Sequence, residues 1–195
     1  MSIYLRNDSD NIVHQVMAQQ QASSCAVASI WMARNQTKQM TIDESEWALA
    51  WNMYHRVVQD ADFIPEAPAP MSLDPSAHSN DQDTFGNMFS RMGTFMDQVA
   101  QALRNDGLKV TFKTRFSPGI TVDAWRLSDT TPAIILLGWY NGARRNGGHF
   151  IVASRRTSRG RVVYLDPWEG QLRELGIGPQ YLSTGRFEQV IYIST

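Results

Sequence analysis

This sequence of 195 residues predicts an α+β fold, with a helical lobe over residues 1–106 packed on an antiparallel β-sheet lobe over 107–195. Three observations carry the expectation. Between Cys25 and Asn105 apolar residues recur at spacings of three and four, the period of a helix face. Beyond Gly107 the period drops towards two, with glycine-bearing turns between short apolar runs. One of those runs, Pro132–Tyr140, is apolar throughout, as expected of a central strand covered on both faces. The length fits a single domain spanning 1–195.

The first helix opens at Ser23-Ser24-Cys25, two serines suited to cap it, and runs through Ala- and apolar-rich sequence to Arg34-Asn35. Thr41-Ile-Asp-Glu44 resembles a capping box and predicts a second helix to about Val58, laying Trp47, Leu49, Ala50, Trp51 and Tyr54 on the first. Four prolines between Asp60 and Thr84, with almost no periodicity, predict a long mobile loop, either a substrate-contacting flap or an insertion. His55 precedes it and His78 lies within it; neither is assigned a role. A third helix is expected over 87–105, with Met92, Phe95, Met96, Val99 and Leu103 on its core face and Asp106-Gly107 ending it.

In the second half Leu108–Phe112 alternates as a strand, and Ile120–Ser128 is read as a short helix after the Ser117-Pro-Gly119 turn. Gly148–Ala153 and Arg161–Leu165, joined by Thr157–Gly160, form a hairpin. Phe187–Ile193 is the last strand of a sheet of about five.

Composition removes several function classes. No apolar run approaches the roughly 20 residues that span a bilayer, so no membrane span is expected. The polar start, with Asn7, Asp8, Asp10 and Asn11, is not a Sec-type signal peptide; the expectation is a soluble chain, cytoplasmic or delivered by a signal-independent bacterial secretion system. One cysteine permits no internal disulfide. The net charge of −1 divides into −7 over residues 1–100 and +6 over 101–195, so the halves should attract. Arg144, Arg145, Arg155, Arg156, Arg159 and Arg161 form a basic stretch without any nucleic-acid motif, so nucleic acid is not an expected partner.

The chemistry centres on Cys25. At the start of a helix, unpaired backbone amides and the positive end of the helix dipole favour a thiolate, the reactive form of the side chain. Gln19, with Gln20 and Gln21 behind it, places an amide donor in the preceding loop, where it can share an oxyanion hole with the Cys25 N–H. His149 opens a strand after Gly147-Gly148, and Asp166 closes its hairpin partner in Leu165-Asp-Pro-Trp-Glu-Gly170. Antiparallel pairing brings those strand ends together, so the carboxylate can orient the imidazole while the second ring nitrogen faces the thiol. Taken singly, Cys25 reads as a small buried hydrophobe, His149 as a sheet histidine and Asp166-Pro167 as a turn starter. Their joint order argues for nucleophile, base and orienter.

Gln19–Cys25 with its helix, Gly148-His149-Phe-Ile-Val and Tyr164–Gly170 together resemble the papain-like cysteine proteases, especially the bacterial branch of effector proteases and bacteriocin-leader peptidases. The resemblance spans the architecture of the chain, although about 25 residues carry its specific motifs. It implies an active-site cleft between the two lobes, Cys25 as nucleophile, His149 as general base and then acid, Asp166 as orienter and Gln19 as oxyanion donor, with Gln20 the alternative. It also implies a protein or peptide substrate, a host activator as a further partner, and neither metal nor cofactor. Ala26 departs from the Trp or Gly that follows the cysteine in many relatives. The same residues serve a deamidase, a transglutaminase or a peptidoglycan amidase equally well, and a non-catalytic binding module could retain the fold. Oligomeric state is not readable.

Overall fold

The chain opens in a β-hairpin rather than a helix. In the computed structural model, which describes residues 2–21, 23–53, 94–114 and 116–195, β1 (Ser2–Asn7) pairs antiparallel with β2 (Val13–Ala18). The helical lobe expected over residues 1–106 is therefore corrected to one that begins with a two-stranded sheet. Asp8 caps the connecting turn by accepting the N–H groups of Asp10 and Ile12, each at 2.9 Å. The hairpin is fastened elsewhere by Arg6 Nε, which donates to the Gly170 carbonyl at 3.1 Å, and by Arg155, whose Nη1 lies 2.7 Å from Asp8 and 3.1 Å from Asp10.

Helix α1 (Cys25–Lys38) starts at the expected residue and runs a turn further than expected. Twelve of its fourteen residues are buried, which makes it the central helix of the fold rather than an amphipathic surface helix. It ends where Gln39 turns left-handed (φ 53°) and donates its N–H back to the carbonyls of Asn35 and Gln36. Helix α2 (Glu46–Met53) begins later than the Thr41 capping box implied. The Thr41 hydroxyl accepts from Gln15 Nε2 at 2.6 Å, and Ser45 caps the helix instead, its Oγ accepting the Ala48 N–H at 3.1 Å. Leu49 and Ala50 are buried as expected. Helix α3 (Met96–Asn105) buries Met96, Val99 and Leu103, whereas Phe95, expected on the core face, is exposed at its N-cap. Gly107, at φ 80°, ends it in the left-handed region that glycine adopts without strain. The expected loop over 60–84, the second helix beyond Met53 with His55, His78 and the start of the third helix over 87–93 lie outside the described residues.

The remaining strands, β3 (Lys109–Phe112), β4 (Ala133–Asn141), β5 (Arg144–Arg156), β6 (Val162–Asp166), β7 (Gln171–Leu175), β8 (Gln180–Tyr181) and β9 (Gly185–Ser194), form one antiparallel sheet of seven in the order β3-β9-β4-β5-β6-β7, with β8 added to β9. Strand β4 is central, between β9 and β5, and buried on both faces as the apolar run predicted. Ile134, Phe150, Val152 and Ile191 pack with α1 and α3 on one side; Ile135, Ile151, Tyr164 and Phe187 form a second apolar layer with Val122 and Leu127 on the other. The helix expected over Ile120–Ser128 is a single 3-10 turn, Ala124–Arg126. Strand β5 starts at Arg144, so His149 sits within it rather than at its first residues. The architecture is α+β, with few helices against a large antiparallel sheet. No helix among the described residues is long and apolar enough to cross a membrane.

Candidate active site

Three buried side chains from three elements meet at one end of α1. Cys25, the first residue of the helix, is 8% exposed. His149 is 5% exposed and Asp166, the last residue of β6, is 4% exposed. Val152 pairs with Leu165, so Asp166 leaves β6 beside the part of β5 that carries His149. The carboxylate reaches the ring: His149 Nε2 donates to Asp166 Oδ1 at 2.7 Å. Cys25 lies close enough to the ring for its side chain to act electrostatically on it, and with Nε2 committed to Asp166 the second ring nitrogen, Nδ1, is the one left for the sulfur. Of the residues singled out from the sequence, Cys25, His149 and Asp166 are thus brought together.

Asp166 is held on both oxygens. The Trp168 N–H donates to Oδ1 at 2.8 Å, and the buried Tyr181 hydroxyl donates to Oδ2 at 2.6 Å. Burial pushes this carboxyl up, but the bonds and charge of His149, with the Tyr181 and Trp168 donors, outweigh it and hold it below the usual carboxylate range. His149 shows the opposite balance. Burial alone would favour the neutral ring; the bond to Asp166 and the influence of Cys25 win, and its pKa is pushed up to about 9. The site therefore favours the protonated ring beside Asp166 and Cys25.

Two tryptophans frame the ring. Trp139 stacks on His149 with centroids 6.1 Å apart and an interplanar angle of 24°, and Trp168 meets it edge-on at 6.4 Å and 80°. Trp168 is 57% exposed, so one wall of the site is an indole open to solvent. Gly148 is required on steric grounds: a Cβ there would stand 2.7 Å from Arg145 Nη2, and Arg145 is fixed by two bonds to the buried Glu188, Nε to Oε1 at 2.7 Å and Nη2 to Oε2 at 2.9 Å.

The loop before α1 is built as a tethered turn. Gln19 N–H donates to the Pro167 carbonyl at 2.9 Å, which ties the loop to the turn after Asp166. Gln19 is half-buried and its Nε2 donates to the Gln21 carbonyl at 2.8 Å, while Gln20 is exposed. Of the two candidate donors, Gln19 is the one folded into the loop. Ser24 occupies the N-cap position without capping α1; its hydroxyl donates instead to the Gln21 carbonyl at 3.1 Å. No acidic side chain lies in the first turn of α1, so nothing within the helix offsets its positive end at Cys25.

Sequence reasoning passed over Tyr181, Trp139 and Glu46. Tyr181 belongs to a two-residue strand that no local pattern announces, and Trp139 sits in an apolar run where a core role was sufficient explanation. No protein-family model matches this chain, and no curated protein matches it either.

Proposed function

We propose that the chain is a papain-like cysteine peptidase, its helical and sheet lobes flanking a cleft in which Cys25 attacks a peptide carbonyl. The observation that carries this reading is the buried His149, bonded through Nε2 to Asp166 and under the electrostatic influence of the cysteine at the start of the central helix. In this mechanism the pair rests as thiolate and imidazolium. Sulfur attacks the carbonyl carbon, and the oxyanion is received by the Cys25 N–H and the Gln19 amide. The tetrahedral intermediate collapses to a thioester as His149 passes its Nδ1 proton to the departing amine. Water, deprotonated by the now neutral ring, then attacks the thioester carbonyl carbon, releasing the acid and restoring the thiolate–imidazolium pair. Asp166 stays ionised throughout, holding the ring's orientation, and Tyr181 holds Asp166.

The test has two stages. Iodoacetamide should alkylate Cys25 rapidly below pH 7, and His149→Ala should abolish the advantage; a rate equal to that of free cysteine would sink the reading. Incubation with a peptide library and with muropeptides, products read by mass spectrometry, then separates a peptidase from an amidase acting through the same residues.

A further inference from the structure

We infer that Glu46 is a positioning residue for acyl transfer at Cys25, fixing the loop that carries the oxyanion donors; the inference rests on the thiol chemistry proposed above. The described residues between Gln19 and Ser24 belong to no strand, and the bonds among them, Gln19 Nε2 to the Gln21 carbonyl and Gln21 N–H to Ser24 Oγ, fold the segment without locating it. Tethers reach its described residues from outside. One is the Pro167 carbonyl, which accepts the Gln19 N–H at 2.9 Å; another is Glu46 Oε2, which accepts the Gln20 N–H at 2.9 Å. The other carboxylate oxygen, Oε1, is buried without a hydrogen-bond partner, so the grip on the loop runs through Oε2 and the Gln20 N–H.

A carboxylate at the start of a helix is ordinary where it faces water and interacts with the helix dipole. Glu46 does not face water: it is 3% exposed, and burial raises its carboxyl above the usual range. Nor does α2 need it as a cap, because Ser45 Oγ already accepts the Ala48 N–H. What the buried acid holds is the segment between Gln19 and the nucleophile. Its partner there comes from the loop, whereas His149 and Asp166 belong to β5 and β6. Glu46 is thus placed to control the oxyanion donors separately from the thiolate–imidazolium pair.

That separation can be measured with two probes of the same sulfur. Alkylation by iodoacetamide is a displacement at carbon that forms no oxyanion. Acylation by p-nitrophenyl acetate passes through a tetrahedral oxyanion: sulfur bonds to the acetyl carbon, p-nitrophenolate departs, and its absorbance reports the rate. At the plateau of each pH profile, Glu46→Leu should alkylate within about threefold of wild type yet acylate at least about tenfold more slowly, since a displaced donor loses a sizeable part of the 10²–10³ that one such donor supplies. Glu46→Gln retains a carbonyl oxygen for the Gln20 N–H and should acylate within about threefold of wild type. Glu46→Asp, which keeps the charge but retracts the acceptor by one methylene, should follow Glu46→Leu and decides the matter if the leucine variant does not fold. Equal acylation by wild type and Glu46→Asp, parallel loss of both rates, or failure of Glu46→Gln to rescue would overturn the inference. A wild-type thiol that alkylates no faster than free cysteine would instead remove the chemistry on which it rests.

Discussion

Titrating His149 out of its ion pair should destabilise the protein over a defined pH window. The ordinary histidine pKa is 6.5 and the folded value is about 9, so the folded state binds the ring proton more tightly than the unfolded chain does. A group shifted in this direction adds stability that is complete below pH 6.5, declines between 6.5 and 9, and is gone above the folded pKa. At about 1.4 kcal/mol for each tenfold change in proton affinity, the contribution is roughly 3 kcal/mol. For a chain of this length that corresponds to roughly 10 °C in Tm. The assay is urea unfolding at intervals from pH 6 to pH 10 on wild type and on His149→Gln, in which other titrating groups persist and cancel in the difference. The wild-type advantage should fall by that amount across the window. In a Cys25→Ala background the sulfur's electrostatic contribution is missing, so the advantage should shrink and the ring's NMR titration midpoint should move down. A difference that stays flat with pH, or grows as pH rises, would refute an imidazolium buried between Asp166 and Cys25.

The other expected outcomes concern the same support. Tyr181→Phe removes one donor from a buried carboxylate; it should cost about 2 kcal/mol in urea unfolding while leaving Cys25 alkylation largely intact, because His149 and the Trp168 N–H still hold Asp166. Asp166→Asn should lower the upper limit of the alkylation pH profile by about 1 to 3 pH units, since the ring loses its nearest negative charge. His149→Ala should slow acylation of Cys25 by roughly 10²–10⁴, read as p-nitrophenolate release. Gly138→Ala should be destabilising enough to see in a thermal melt, because its Cβ would lie 2.2 Å from Glu188 Oε1 on a carboxylate already fixed by Tyr140 and Arg145.

The parts of this molecule legible in the sequence were those whose signal is local. A helix start at Ser24-Cys25, an apolar run for β4 and a turn at Thr157–Gly160 each follow from nearest-neighbour chemistry, and they placed Cys25, His149 and Asp166 on the elements where the structure has them. The features missed depend on distant partners. Strand β1 is exposed along most of its length and owes its pairing to Arg6 on the Gly170 carbonyl and to Arg155 on Asp8, contacts 164 and 147 residues apart in sequence. Thr41 carries a capping signature, but Gln15 engages its hydroxyl and Ser45 does the capping. Strand β7 is half-buried at every position and so has no alternation to read. Tyr181 and Glu46 act through single bonds to Asp166 and Gln20, which no periodicity encodes.

The charge asymmetry between the two halves also acquires a location. Asp8 and Asp10, from the acidic half, converge on Arg155 of β5, from the basic half. Asp8 is the buried member: burial opposes its ionisation, but bonds from His14, the turn amides and Arg155 prevail and lower its pKa to about 2. This fastening, at one end of the hairpin, has a counterpart where β2 runs out: Gln19 binds the Pro167 carbonyl directly after Asp166. The segment leading to Cys25 is therefore referenced to β5 by Arg155 and to the end of β6 by Pro167, the two strands that supply His149 and Asp166. The N-terminal hairpin contributes no reacting group, yet it joins nucleophile loop and proton-handling strands into one frame. A Gly170→Ala substitution tests that role, because a Cβ there would stand 2.3 Å from the Tyr4 ring at a backbone φ of 62° that disfavours alanine. It should displace the hairpin and slow acylation of Cys25 while His149 keeps its bond to Asp166 and its high titration midpoint; loss of that midpoint together with acylation would mean that the frame does not divide in this way.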